Sequence, residues 1–380
     1  MQRHTITPRT DWEQKVKDQG FLFYKNESYY DETAAYEFTA AEVDLIEAAT
    51  ADMFDKCCAV VDHVIKNELW DEFFIPKEYA DLIKWSWIED MPSFYGRMDL
   101  AYNDGDIKLL EFNADTPTSL LEASVIQWYW LQDYDSRLDQ FNSIHEKLQA
   151  HMGVCAPYLY APSVLTFACV RDHLEDLMTT KYMQDVAEQA GLRTDFIYMD
   201  EIGVDDKGEF YKADGTAIGN IFKLYPYEWM FHEEFGKCLP GSRMSTLWIE
   251  PAYKALWSNK MLLVYLYKLF PDCKYLLPAE YSAKEVVYRP GAYVQKPVYS
   301  REGANVKIVK YGEVLEQTGG EYGEEGYVVQ DYAELPDFNG NRPVIGSWLI
   351  GGVPAGMGIR ESKGLITGNM SKFVPHFFKT

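Results

Sequence analysis

Three short runs of this chain carry side chains that could do chemistry together. The first is Arg97-Met-Asp99, followed beyond an Asn103-Asp104-Gly105 turn signal by Glu111-Phe-Asn113. Both flanks alternate apolar and polar residues, the period of a strand, so the segment reads as a β-hairpin. With Asn103, Asp104 and Gly105 as a three-residue loop, glycine in the left-handed position, Tyr102 pairs with Asp106 and Arg97 falls opposite Glu111. Arg97, Asp99, Glu111 and Asn113 then share one face, with Met98, Leu100, Leu110 and Phe112 on the other. Two carboxylates, an amide oxygen and a guanidinium at one spot suit Mg²⁺, with water and phosphate oxygens completing the octahedron. A two-residue Asp104-Gly105 turn would instead part Asp99 from Glu111 by one register step. The plainer alternative is a cross-strand ion pair, worth under about 1 kcal/mol if exposed.

The second run supplies positive charge. Lys260 at a helix start and Lys296 on a strand are candidates for neutralising a triphosphate, and Lys296 runs into Ser300-Arg301-Glu302-Gly303-Ala304-Asn305. Small and polar residues there could let backbone amides close over phosphates, although a solvated hairpin turn has the same composition. Tyr327 to Leu335, containing Gln330, Asp331, Tyr332 and Ala333, is an apolar strand leading into a turn, suited to clasping a planar base or simply to ending a strand. The third run, Gly356-Met-Gly-Ile-Arg360, sets an arginine among glycines that admit close approach of a ligand; a structural ion pair is the alternative.

These groups need elements to hold them. Thr39 followed by Glu42 is a capping box ahead of the periodic run Val43 to Leu69, and the first ninety residues read mostly helical. A helix is expected from Ser119 to about Gln132. An apolar strand from Ser163 to Val170, a helix from Thr180 to Ala190 ending at Gly191, and a strand from Thr194 to Met199 form a βαβ unit and hence a parallel sheet. Turn signals at Asp205 to Gly208 and Asp214-Gly215 flank a hairpin ending near Leu224. Trp257 to Phe270 reads as a helix capped by Ser258 or Asn259. Strands follow over 293–298, 306–311, 326–332, 344–350 and 356–361, an antiparallel half. No internal repeat or low-complexity linker interrupts the chain.

Composition narrows the partners. At 380 residues the chain should fold as two or three packed units. A net charge of -23 leaves no basic footprint for nucleic acid. The polar N-terminus has no apolar signal region, and the apolar stretch Met261 to Phe270 is short and interrupted by Lys268, so a cytoplasmic protein without a membrane anchor is expected. Six cysteines and seven histidines are scattered without metal-site spacing, which fits reduced thiols.

Taken together the segments Arg97-x-Asp99, Glu111-Phe-Asn113-Ala-Asp-Thr-Pro-Thr-Ser119-Leu-Leu-Glu122, Asn259-Lys260, Lys296-Pro-Val-Tyr-Ser-Arg-Glu-Gly303-Ala-Asn and Gly358-Ile-Arg360-Glu resemble the synthetase half of the glutathionylspermidine synthetase family. The resemblance covers most of the chain. It implies a mixed α+β / α/β protein with a circularly permuted ATP-grasp fold. The expected parts are a helical region over 1–92, the metal-binding hairpin and helix over 93–160, an α/β pre-ATP-grasp substrate domain over 161–250, and the nucleotide-binding region over 251–380.

By the same resemblance, Asp99, Glu111 and Asn113 hold Mg²⁺. Lys260, Lys296, Glu302, Gly303, Gln330, Asp331, Tyr332 and Ala333 bind ATP, and Arg97 and Arg360 face the reacting carboxylate. Thr116, Thr118 and Glu175 fall at substrate contacts. The implied activity is an ATP-dependent acid–amine ligase joining a small carboxylate, such as a thiol peptide, to an amine, such as a polyamine. Bifunctional members also carry an N-terminal amidase domain; this chain begins at the synthetase half, so no amide hydrolysis is expected. A ligase for a peptide or amino-acid amine, or a non-catalytic nucleotide- or polyamine-binding protein, are the alternatives.

Overall fold

The Thr39–Glu42 box is present: the Glu42 carboxylate accepts from the Thr39 backbone amide at 2.8 Å, and the Thr39 hydroxyl accepts from Glu42 N at 3.3 Å. It starts the helix Ala40–Asn67, which buries Val43, Ile46, Ala49, Met53, Cys57, Val60 and Val64 along one face at spacings of three and four. This computed structural model describes residues 1–284, 289–369 and 371–379.

The long helix packs on an antiparallel sheet of five strands in the order Lys372–Val374, Val353–Ser362, Arg342–Ile350, Tyr95–Asn103, Asp106–Asn113. The early hairpin is thus completed by strands more than two hundred residues later, with Gly346 beside Asp99 and Trp348 beside Arg97. A second antiparallel sheet runs Ala279–Ser282, Tyr327–Asp331, Ala292–Pro297, Lys307–Lys310, Glu313–Gln317. The space between these two sheets is where the polar residues of the hairpin point.

The expected βαβ unit is there. Val164–Cys169 and Arg193–Tyr198 pair in parallel, joined by the helix Leu174–Gln189. Asn220–Leu224 and Leu247–Ile249 extend the same sheet. The hairpin expected to end near Leu224 is shorter than read, Gly203–Val204 with Phe210–Tyr211, and the strand at Leu224 belongs to the parallel sheet.

Several local expectations change. The region before residue 92 holds strands as well as helices: Gln2–Thr5 and Ala34–Thr39 pair antiparallel, and Ala34–Thr39 pairs in parallel with His376–Lys379. The helix expected from Ser119 begins at Leu120, just after Ser119 with φ 68°, passes through a π-turn at Glu122–Ile126 and continues as Gln127–Asp135. The helix expected over Trp257–Phe270 is two, Lys254–Trp257 and Met261–Leu269, because the Asn259 side chain accepts from Met261 N at 2.8 Å and restarts it. Among the described residues no helix is long and apolar enough to cross a membrane.

Candidate functional site

The hairpin turn is the first correction. Asn103 pairs with Asp106, so the loop is the two-residue Asp104-Gly105 turn, with φ of 50° and 86° as a type I′ turn requires. That turn alone would have split the acidic residues between faces. A bulge undoes the slip: Leu100 pairs with Leu109 while Asp99 pairs with Glu111, leaving Leu110 as the extra residue. Leu109, rather than Leu110, therefore joins Met98, Leu100 and Phe112 in the core, while Leu110 leans into the cleft. Arg97 lies opposite Asn113 rather than Glu111.

The bulge also exposes two backbone carbonyls. Lys296 Nζ donates to Leu110 O at 2.8 Å, and Gln330 Nε2 donates to Leu109 O at 3.0 Å. Lys296 Nζ also donates to Gln330 Oε1 at 2.9 Å, so the second sheet is docked on the irregularity of the first.

At the polar end Arg97 holds Asp99 in two bonds, Nε to Oδ1 at 2.7 Å and Nη2 to Oδ2 at 3.1 Å. Arg97 Nη1 donates to Thr118 O at 2.6 Å, fixing the loop after the hairpin. Gly346 makes room for this arginine, since a Cβ there would lie 2.8 Å from Arg97 Cδ. Asn113 Nδ2 donates to Asp99 Oδ2 at 3.2 Å and to Glu111 Oε1 at 3.1 Å. Lys260 Nζ stands 3.5 Å from Glu111 Oε2 and donates to Ser300 O at 2.9 Å.

Burial pulls the charges in opposite directions. It raises the Asp99 carboxyl, with Arg97 opposing and Glu111 adding to the rise. Burial would raise Glu111 too, but Lys260 and Lys296 hold it down to about 2. Burial brings the Lys296 ammonium down to about 8 against the pull of Glu111. A lysine so desolvated gains most when an anion arrives.

Asp99, Glu111 and Asn113 fit a hard cation. Two carboxylates within reach of one amide are close enough to share an ion, and turning the Asn113 amide presents its oxygen in place of its nitrogen. Among the described residues no group of three or more His, Cys, Asp or Glu side chains is placed to hold a metal ion. A pair of carboxylates with one amide oxygen suits an ion that keeps water and phosphate in its shell, as Mg²⁺ does.

These residues line one cleft of about 290 Å³, together with Lys260, Lys296, Glu302, Gly303, Gln330, Asp331, Tyr332, Ala333, Thr116, Thr118 and Arg360. The glycine loop is anchored by Arg301, whose Nη1 donates to Thr116 Oγ1 at 2.6 Å. Glu302 and Gly303 have φ of 55° and 72°, and a Cβ on Gly303 would lie 2.8 Å from Thr367 O. Asp331 pairs with Arg289 at 2.5 Å. Arg360 Nη2 donates to Gly368 O at 2.5 Å and Asn369 O at 2.9 Å, while its buried Nε has no hydrogen-bond partner among the described residues. Glu175 is the expected residue that does not line the cleft: it is buried at the start of its helix, and burial raises its carboxyl. His173 and Asp176, beside it, face the cleft instead.

Sequence reasoning missed the residues that fix the loop after the hairpin. Asp115 Oδ1 accepts from Lys223 Nζ at 2.6 Å, Asp115 Oδ2 accepts from Tyr227 N at 2.9 Å, and Asp115 N donates to Ser258 Oγ at 2.9 Å. Lys254 Nζ donates to Tyr95 O and Ala114 O at 2.7 and 3.0 Å and pairs with Glu250 at 3.1 Å. One signal was available: Lys223 interrupts an apolar strand, and a charge there requires a buried partner.

The family model for the glutathionylspermidine synthase preATP-grasp region matches residues 3–379. A Haemophilus influenzae protein carrying the provisional name acid–amine ligase is 38% identical over 393 residues, covering 100% of both chains. The trypanothione synthetase of Crithidia fasciculata is 30% identical over 329 residues; the match covers 79% of this chain and 50% of that protein, so this chain spans about half of that relative. Among solved structures, a glutathione synthetase-like effector of Globodera pallida superposes with a TM-score of 0.55 at 12% identity over 98% of both chains, a likeness of fold.

Proposed function

The chain belongs to the glutathionylspermidine synthase preATP-grasp family, whose named relatives are amide-forming synthetases and ligases, and from that premise we propose that it is an ATP-dependent acid–amine ligase. The observation that carries this is the convergence of Asp99, Glu111 and Asn113 with Lys260, Lys296, Arg97 and Arg360 in one cleft. The architecture we infer is a circularly permuted ATP-grasp, in which the 93–160 segment supplies the metal-binding hairpin and the 251–380 segment the nucleotide region. The 161–250 segment is the α/β substrate domain, and the 1–92 segment packs on the core.

In this reading a carboxylate oxygen of the acid attacks the γ-phosphorus of ATP and ADP leaves. The amine then attacks the acyl carbon of the acyl phosphate, and orthophosphate departs with the bridging oxygen. Asp99, Glu111 and Asn113 would hold Mg²⁺, which would supply charge neutralisation at the phosphates. Lys260 and Lys296 bind the triphosphate, Glu302 and Gly303 close over it, and Gln330 to Ala333 hold the base. Arg97 and Arg360 orient the acid and take up negative charge as it reacts. Thr116, Thr118 and Glu175 belong to the substrate side, with Glu175 acting from beneath the cleft through Thr118. The names of the relatives favour a thiol-peptide acid and a polyamine. The proposed compartment is the cytoplasm.

A grid of carboxylates and amines scored for ADP tests this. ADP should form only when both partners and Mg²⁺ are present, and Glu111→Ala should lower it by about a hundredfold or more. If no pair stimulates ADP formation, the ligase reading fails and a nucleotide-binding protein is left instead.

A further inference from the structure

Arg360 is held by a segment that is itself held by the opposite sheet. Its guanidinium donates to the carbonyls of Gly368 and Asn369, and three residues earlier in the same segment Leu365 N donates to Glu316 Oε2 at 2.6 Å and Ile366 N to Glu316 Oε1 at 3.4 Å. Glu316 stands on Glu313–Gln317, the outer strand of the sheet that carries Lys296 and Gln330. A register shift in its pairing, with Ile308 opposite Glu316 but Val309 opposite Val314, leaves Leu315 as a bulged residue. A bulge of this kind re-aims the side chain beside it.

The same strand end makes a second tether. Thr318 Oγ1 donates to Gly303 O at 2.5 Å, and Gly303 in turn has no room for a Cβ against Thr367 O. Glycine loop, outer strand and the 364–369 segment are therefore tied to one another, and Leu365, Ile366 and Thr367 line the cleft. The buried Nε of Arg360, without a partner among the described residues, is left as a donor for an incoming anion.

We propose that Glu316 is a positioning residue for the ligase step: by capping the amides of Leu365 and Ile366 it makes closure of the nucleotide-side sheet fix the carbonyls that aim Arg360 at the acid. It acts through the segment and touches neither nucleotide nor acid. The inference rests on the ligase reading of the cleft.

Hydrogen exchange by mass spectrometry, with and without a non-hydrolysable ATP analogue and Mg²⁺, separates the two. In the unaltered protein the analogue should protect the peptides over both 327–331 and 362–369. In Glu316→Ala the first should remain protected and the second should not, and Glu316→Gln, which keeps one acceptor oxygen, should recover part of it. With the acid and amine found in the grid, Glu316→Ala should lower kcat about tenfold while KM for ATP changes less than about threefold. Protection of 362–369 that survives Glu316→Ala, or an unchanged kcat, overturns the positioning role. Absence of protection at 327–331 in the unaltered protein overturns nucleotide binding in this cleft, and the coupling with it.

Discussion

At the scale of single residues, charge in apolar surroundings was the legible signal. Asp99, Glu111, Lys260, Lys296 and Arg360 stand out in the sequence because strands and helix starts rarely tolerate such groups without a partner, and all five reach one cleft. Their neighbours were not legible, because burial is set by distant chain. Glu122 lies two residues into the helix after the hairpin, 2% exposed, and its Oε1 accepts from Tyr29 at 2.9 Å. Burial, then nearby Glu175, raises its carboxyl to about 7. A carboxyl raised on folding favours the native state in its protonated form, so this contribution is whole below the unfolded value and fades as pH rises through about 7. Glu122→Gln, which keeps an acceptor for Tyr29, should therefore stabilise the protein by on the order of 1–3 kcal/mol near pH 8.5 and by little near pH 5. Thermal midpoints at the two pH values check this; an equal gain at both removes the titration from the explanation.

At the scale of elements, the hairpin shows how a wrong turn can leave a right face. Asn103-Asp104-Gly105 is compatible with either loop, and strand alternation cannot see a bulge, because one extra residue among Lys108, Leu109 and Leu110 leaves the composition unchanged. The bulge has a use that only the second sheet explains, as its two carbonyls receive Lys296 and Gln330. Deleting Leu110 should leave Asp99 opposite Glu111 but remove the carbonyl that receives Lys296, so that the second sheet loses its seat on the hairpin. Nucleotide binding measured by calorimetry should then fall below detection, whereas Leu110→Ala, which keeps the backbone, should bind within about tenfold of the unaltered protein. Equal binding by the deletion and the substitution would separate the bulge from the site. The break at Asn259 was legible in kind, as a capping residue, but not as an interruption, because the sequence pattern did not mark the short helix Lys254–Trp257 that precedes it.

At the scale of the whole molecule, local pattern gave the βαβ unit and most of the antiparallel strands. It could not give the pairing of Ala34–Thr39 with His376–Lys379, or of the hairpin with Arg342–Ile350, since such contacts leave no trace in periodicity. The parallel sheet is fastened to the hairpin by buried Lys223–Asp115, both almost fully enclosed. Breaking one partner leaves the other buried and uncompensated, so Lys223→Met should cost about 3–5 kcal/mol and lower the thermal midpoint by several degrees. A midpoint unchanged by Lys223→Met would mean the pair is not a fastening. What the assembled cleft does is tested most directly by isotope. With the acid and amine that support ADP formation, and both carboxylate oxygens of the acid labelled with ¹⁸O, the released orthophosphate is measured by mass spectrometry. A ligase working through an acyl phosphate delivers one labelled oxygen to each orthophosphate with ADP as the other product; unlabelled phosphate, or AMP and pyrophosphate in its place, contradicts it.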